Sequence, residues 1–380
     1  MRGSDLDACL AAALRGLPTR WPWPDDSPAA TDEAIKRIEL HGISAQLVAA
    51  RRDLSGWPSA VVDAIREEAR LQAIWEPVHR AAVAAVVEAL YDQKIDVLVL
   101  KGTALAYSIY DEPELRRRGD TDLLVRRADM DRARHVLARL GWQAGQRQAF
   151  QESWTIPESG FLHELDLHWR LRNMVDEPPA ISVEACLASA RPLPKLHAAA
   201  RTTDPATTLV NCALNHAAHC VYGYGAGQRG ELLHLGGVAD IDRLVRGWTQ
   251  ADWINALDLT REIGAGRVLA AALGQARRWL ETPIAPWALA RLDEIAAAEA
   301  GRPDPWSEPP SGPSVARLGA KLRAAAGWRA KRDVMLARLL PSAGELGLTA
   351  EEARRPAALY RARLARLRRI ARRIASGPAR

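Results

Sequence analysis

The sequence is poor in several things that mark particular functions. Only four of its 380 residues are cysteine (Cys9, Cys186, Cys212 and Cys220), and no two form a CxxC pair. That spacing argues against a zinc knuckle and a disulfide scaffold, and reduced, mostly buried thiols are expected. No apolar run approaches the ~18 residues that a membrane-crossing helix needs. The apolar patch at Cys9–Leu14 follows Asp5 and Asp7 rather than a basic segment, which argues against a secretory signal; a cytoplasmic protein is expected. Phosphate-loop and GxSxG nucleophile patterns are both missing. "HELDLH" is not the HExxH zinc motif, because His163 and His168 are five apart and point opposite ways on a strand. "GYGAG", Gly223 to Gly227, follows a helical segment instead of a strand, so it reads as a connection and not as a dinucleotide loop.

Net charge is small in the body and concentrated at the end. The net charge is +6, yet residues 351–380 hold ten arginines and two glutamates, or +8. The rest is close to neutral, so the basic total does not argue for nucleic-acid binding by the body. The final segment, Ala353 to Ile374, has an apolar stripe beside its arginines. It can pack on the body, lie on an anionic surface or meet an acidic partner. Phenylalanine is rare, at two residues, and thirteen tryptophans stand in its place, mostly at core-like helical spacing.

A soft prior of ~150 residues per domain gives two or three domains. Helical periodicity covers Thr31–Leu54 and roughly Pro58–Asp92. The period then changes. "IDVLVL", Ile95 to Leu100, reads as a strand buried on both faces, and Gly102 turns it into a helix. "TDLLV", an amphipathic helix ending at Gly141, "QAFQESWTI" and "FLHELDLHWRL" complete a compact α/β unit. Helices follow, the first opened by Asp204-Pro205, as far as a proline- and glycine-rich linker at Gly301–Ser314. The expected organisation is a helical region over 1–75, an α/β domain over 76–180, a helical domain over 181–300, and a linker with basic helices over 301–380. The expected fold class is α+β, a mixed sheet with helices embedded in a mostly helical chain.

Asp120 and Asp122 sit two apart at the start of an apolar strand and share one face, while Thr121, Leu123 and Val125 share the other. Carboxylates ~7 Å apart on a strand repel unless a cation lies between them. The pair can serve as metal ligands or as caps at the strand's start. The upstream turn favours the first reading, since Gly102 and Thr103 place backbone N–H groups at a helix N-terminus, where phosphate is attracted. In "HELDLHW", Glu164, Asp166 and His168 alternate onto one face, and Asp166 is the candidate third carboxylate, with an exposed strand face as the alternative. Arg116, Arg117 and Arg118 form either a solvated loop or a phosphate clamp. His216 and His219 are three apart on a helix and either reach the cleft or are satisfied within the helix layer.

These residues resemble the uncharacterised nucleotidyltransferase family of the DNA polymerase β-like superfamily. The resemblance rests on Lys101-Gly102-Thr103-Ala104-Leu105, Arg116, Asp120-Thr121-Asp122-Leu123-Leu124-Val125 and Asp166-Leu167-His168-Trp169. It spans roughly residues 75–245 and reaches "NHAAHCVYG" and "LLHLGGVADIDRLV". Two departures stand out: Gly102-Thr103 where Gly-Gly or Gly-Ser is usual, and Thr121 where a larger aliphatic residue is usual. The resemblance implies a polymerase β-like fold. It also implies Mg²⁺-dependent (or Mn²⁺-dependent) transfer of a nucleotidyl group from a nucleoside triphosphate to a hydroxyl or phosphate of a small molecule or peptide. Asp120, Asp122 and Asp166 would hold metal and act as the catalytic carboxylates, with Asp166 helping to deprotonate the acceptor. Lys101, Gly102, Thr103, Arg116, His168 and His216 would bind nucleotide or phosphate. Two alternatives accompany it: glycosyl transfer from a nucleotide sugar onto a modified peptide in natural-product maturation, and a nucleotide-binding module without turnover.

Overall fold

The computed structural model describes residues 2–23, 27–50, 54, 56–147, 150–171, 181–222, 233–300 and 335. The Gly223–Gly227 connection, the Gly301–Ser314 linker and the arginine-rich C-terminal segment lie outside the described residues. In chain order the elements are α1 (Arg2–Leu14), α2 (Pro28–His41), α3 (Ser44–Ala49), α4 (Ser59–Asp92), β1 (Val97–Leu100), α5 (Lys101–Ser108), β2 (Asp120–Val125), α6 (Met130–Arg139), β3 (Gln143–Arg147), β4 (Gln151–Glu158), β5 (Phe161–His168), α7 (Val183–Ala188), β6 (Arg191–Pro192), β7 (Arg201–Thr202), α8 (Pro205–Tyr222), α9 (Leu235–Val245), α10 (Gln250–Ile263), α11 (Gly266–Leu280) and α12 (Pro286–Ala298). The fold class is α+β.

Local chemistry explains the boundaries. The single helical period over Thr31–Leu54 becomes two helices because Gly42 takes a left-handed conformation (φ 64°) and ends α2. At α8, Asp204 Oδ1 accepts from the Thr207 N–H at 3.0 Å, while Pro205 sits where a missing N–H costs nothing. α10 opens with a capping box between Thr249 and Asp252.

The seven strands lie in the order β3-β4-β5-β2-β1-β7-β6. β2 pairs parallel with β5, and β1 pairs parallel with β7; the other neighbours are antiparallel, so the sheet is mixed. One face carries Val97, Val99, Leu123, Val125, Leu165 and Leu167 into a large core shared with α4 and α6. Each fully buried leucine there contributes ~1.5–3 kcal/mol. On the other face, Leu98, Leu100 and Leu124 meet a smaller cluster with Leu171 and, from α7, Val183, Cys186 and Leu187. That lighter cover leaves one end of the second face open, and Asp120 and Glu164 are exposed there.

α4 joins two cores. Its first half gives Val61, Val62 and Ile65 to the helical core built with α1, α2 and α8–α12. Its second half gives Val83, Val86, Val87 and Leu90 to the sheet core. Residues 75 and 76 lie inside this helix, which runs on through Pro77. The tryptophans are mainly packing residues: Trp23, Trp57, Trp75, Trp142, Trp154 and Trp253 are among those buried.

Candidate active site

Strand register brings the acidic residues together. On the paired parallel strands Asp120 stands opposite Glu164, Asp122 opposite Asp166, and Leu124 opposite His168. Because side chains alternate, all the polar members face one side. One potential ligand atom from each of Asp122, Asp166 and His168 lies within 4.8 Å of the others.

Asp122 is the best-supported member. Its Oδ1 receives the Lys101 ammonium at 2.5 Å and His168 Nε2 at 2.8 Å. Burial alone would raise its carboxyl, but the Lys101 charge and the His168 bond hold it well below the usual range. His168 is fully buried, and burial keeps it neutral in spite of Asp122. Its Nε2 therefore carries the proton it donates to Asp122, which makes it an orienting group for that carboxylate rather than a metal ligand.

Asp166 and Asp120 behave in the opposite way. Burial, then the charges of Asp122 and Asp120, push the Asp166 carboxyl up to about 7. Asp120 is exposed at the strand's start but set in a wall crowded with protein atoms. That crowding, then the Asp122 charge, pushes it up to about 6. Gln151 Nε2 donates to Asp166 Oδ2 at 2.6 Å, and Asp166 Oδ1 has no hydrogen-bond partner among the described residues. Carboxylates whose ionised forms repel one another are the donor set that a hard divalent cation relieves, and an all-oxygen set suits Mg²⁺. Asp122 and Asp166 fit such an ion; Asp120, on the same face, lies outside the group whose ligand atoms come within 4.8 Å of one another.

The turn beside them is the first turn of α5. Lys101 has a positive φ of 49° and opens the helix together with Gly102 and Thr103. The first N–H groups of a helix lack intrahelical partners, and here they stand beside the acidic face. A side chain at Gly102 would press on Arg118 Cβ at 3.4 Å. The Thr103 hydroxyl is turned away: it meets Thr121 Oγ1 at 2.8 Å and is fully buried, so only its backbone N–H is left for phosphate.

The three arginines each have carboxylate partners in the fold. Arg116 Nε bonds both oxygens of Asp240 on α9, at 2.7 and 2.9 Å. Arg117 pairs with Glu68 on α4 at 2.6 Å and reaches the Glu39 carbonyl on α2. Arg118 is buried against Glu76 on α4 at 2.7 Å, and Tyr107 bonds the same carboxylate. Arg116 ties the loop before β2 to α9 while Arg117 and Arg118 tie it to α4, and of the three it is Arg116 that lines the cleft.

On the opposite face of β2 runs a buried neutral chain. His79 Nε2 meets Thr121 Oγ1 at 2.7 Å, His79 Nδ1 meets His163 Nδ1 at 3.1 Å, and Thr103 Oγ1 reaches the Asp120 carbonyl at 3.3 Å. One direction satisfies every donor: His163 to His79, His79 to Thr121, Thr121 to Thr103, and Thr103 to the Asp120 carbonyl.

A second recess opens beside Lys101 and Gly102, walled by α8 and α9. It is a narrow cleft of about 400 Å³ with its mouth included. His216 lies here, donating through Nε2 to Gln275 Oε1 at 2.8 Å, and His219 stacks on His234 with ring centroids 5.3 Å apart. Asp240, Gln151, Asn211 and His234 are site neighbours that sequence reasoning missed. Asn211, Asn215 and His219 did leave a signal, a polar stripe at helical spacing on an otherwise apolar helix.

Residues 27–281, more than half of the chain, match the model of a family described as uncharacterised nucleotidyltransferase. Among solved structures the chain is similar to an antigenic nucleotidyltransferase-like protein from Paracoccidioides brasiliensis. The identity is 13% and the TM-score 0.32, with 56% of this chain and 96% of that chain covered. No curated protein matches the chain.

Proposed function

The chain belongs to the uncharacterised nucleotidyltransferase family, and on that premise we propose that it moves a nucleotidyl group from a nucleoside triphosphate to an acceptor hydroxyl, with Mg²⁺ held by Asp120, Asp122 and Asp166. The observation that carries this reading is the register of Asp122 with Asp166 on adjacent parallel strands beside the start of α5. A bound divalent ion would offset the phosphate charge and polarise the reacting groups.

The chain's own residues supply the rest. Lys101, Gly102 and Thr103 present backbone N–H groups to the phosphates. The Lys101 ammonium, already beside Asp122, lies within reach of the same charge. His168 fixes the orientation of Asp122. The acceptor oxygen forms a bond to the α-phosphorus, the bond from that phosphorus to its bridging oxygen breaks, and pyrophosphate leaves. The acceptor's proton passes to Asp166 Oδ1, the oxygen that Gln151 does not engage. Positioning and fixed charge provide most of the acceleration.

The test is pyrophosphate release from each of the four nucleoside triphosphates with Mg²⁺, with and without hydroxylated acceptors, followed by mass spectrometry of the products. A nucleotidyl increment that is lost in Asp122→Asn and Asp166→Asn is expected. A hexose increment from nucleotide sugars, or equal turnover by the variants, would overturn the reading.

A further inference from the structure

The cleft between α5, α8 and α9 contains two buried polar atoms with nothing to bond. Asn211 is 5% exposed and His216 is 4% exposed. Asn211 Oδ1 and His216 Nδ1 have no hydrogen-bond partner among the described residues, and both residues line the cleft. The chemistry of each atom can be assigned. His216 Nε2 donates to Gln275 Oε1, so Nδ1 carries a lone pair and accepts. Asn211 Oδ1 is a carbonyl oxygen and accepts. An unmet buried acceptor costs stability, so two in one recess point to a ligand that brings donors.

The surroundings narrow what those donors are. The cleft's two cationic side chains already pair with carboxylates, Lys101 with Asp122 and Arg116 with Asp240. A fully deprotonated anion has no hydrogen to give to either acceptor. A cation would face Lys101 and Arg116 together. The histidines on this wall are held neutral, chiefly by burial. Gly237 maintains the space in front of His216, since a Cβ there would lie 2.7 Å from His216 Nδ1. Among the described residues the rings that line the recess are the imidazoles of His216, His219 and His234, with no tryptophan, tyrosine or phenylalanine beside them.

Building on the nucleotidyl-transfer reading, we propose that this cleft takes a pair of uncharged hydroxyl groups, the diol edge of a sugar, with Asn211 Oδ1 and His216 Nδ1 as their acceptors. Lys101 and Gly102 belong to both the cleft and the phosphate turn, so the diol lies directly beside the polyphosphate. Two sources share this chemistry: the ribose of the bound nucleotide, and a separate polyol acceptor.

Calorimetry on the full chain tests it with four probes, each with Mg²⁺: ATP, 2′,3′-dideoxy-ATP, inorganic tripolyphosphate, and a panel of monosaccharides and polyols added to the tripolyphosphate complex. The variants are Asn211→Leu, which keeps the bulk and removes the acceptor, and Gly237→Ala, which fills the space in front of His216. If ribose is the source, the wild type loses about five- to tenfold in affinity per missing hydroxyl, and Asn211→Leu erases the difference between ATP and its dideoxy form. If an acceptor is the source, dideoxy-ATP binds like ATP, and a polyol binds the wild type but neither variant. Asn211→Leu is also expected to keep or raise the melting temperature, because an unpaired buried acceptor is replaced by apolar bulk. The proposal falls if ATP and dideoxy-ATP bind alike and no polyol depends on Asn211, or if Asn211→Leu loses stability along with binding. Failure of tripolyphosphate to bind would count against the nucleotidyl-transfer reading, and the polyol panel repeated on the free protein would still decide the cleft.

Discussion

The two faces of β2 treat polar groups in opposite ways. Toward the cleft, Asp120 and Asp122 stand beside Glu164 and Asp166, four carboxylates served chiefly by Lys101, His168 and Gln151. Toward the core, the residue between the two aspartates, Thr121, joins a neutral chain through His79, His163 and Thr103 in which every hydrogen has an acceptor. One face leaves repulsion unrelieved, which a stable fold alone would not retain. The other removes it completely. Adjacent residues of one strand thus separate a reactive surface from its support, and substitutions on the two sides should damage different properties.

The largest expected effect is on the acidic face. Asp166→Asn should lower nucleotidyl transfer by about 10³-fold or more, a barrier of roughly 4 kcal/mol, and keep or raise the melting temperature of the metal-free protein. Asp122→Asn should cost as much activity and also some stability, since it leaves Lys101 and His168 facing a weaker acceptor. Turnover and thermal melting on the same samples read both. Comparable loss of stability in the two variants would break the contrast between the faces.

On the supporting side, Glu76→Ala should act through stability. It strips the partner from Arg118, whose side chain is 2% exposed, and leaves a buried charge. Breaking such a pair costs about 3 kcal/mol or more. Denaturant melts should show the drop, while the activity of the folded fraction stays within a few-fold of wild type.

Much of the acidic face was legible because a strand has period two. "DTDLLV" places Asp120 and Asp122 on one side and Thr121 and Leu123 on the other, "HELDLHW" sets Glu164 and Asp166 against Leu165 and Leu167, and the parallel register then aligns Asp122 with Asp166. The partners of the arginines were not legible. Glu68, Glu76 and Asp240 come from helices whose packing no local pattern encodes, and residues 116 and 240 lie 124 apart. β6 and β7 are two residues each, too short to show a period, and β3 ("QAGQR") has no apolar alternation to read. His79 and His163 meet across 84 positions; the sequence showed only that His163 would point away from His168.

Acid should separate the faces by a smaller amount. Burial, then the Arg118 charge and the neighbouring imidazole of His163, hold His79 down at about 2. Unfolded, it titrates near 6.5. Below that pH the unfolded chain takes up a proton at this residue and the folded chain does not, so stability falls as pH falls. Between pH 6.5 and 5 the loss from His79 is about 2 kcal/mol, at roughly 1.4 kcal/mol per unit. Denaturant melts from pH 7 to 5 should show a shallower decline in His79→Gln than in wild type. Parallel curves would mean that the histidine protonates in the folded state.

The smallest effect tests whether the core-side chain works as a unit. Thr121→Val keeps shape and removes the hydroxyl that bridges His79 and Thr103, at 2.7 and 2.8 Å. The expected cost is about 1 kcal/mol, with a larger value if His79 Nε2 stays unpaired. His79→Phe should cost more by itself, because it also ends the contact with His163 and changes the ring stacked on Trp75. Combined, the two changes should cost less than their sum, since the hydroxyl has no partner left to lose once the imidazole is gone. Activity of the folded double variant should stay close to that of Thr121→Val. A strictly additive pair would show that Thr121 and His79 contribute independently, and that the aspartates are held in place by the strand ladder rather than by the hydrogen bonds behind it.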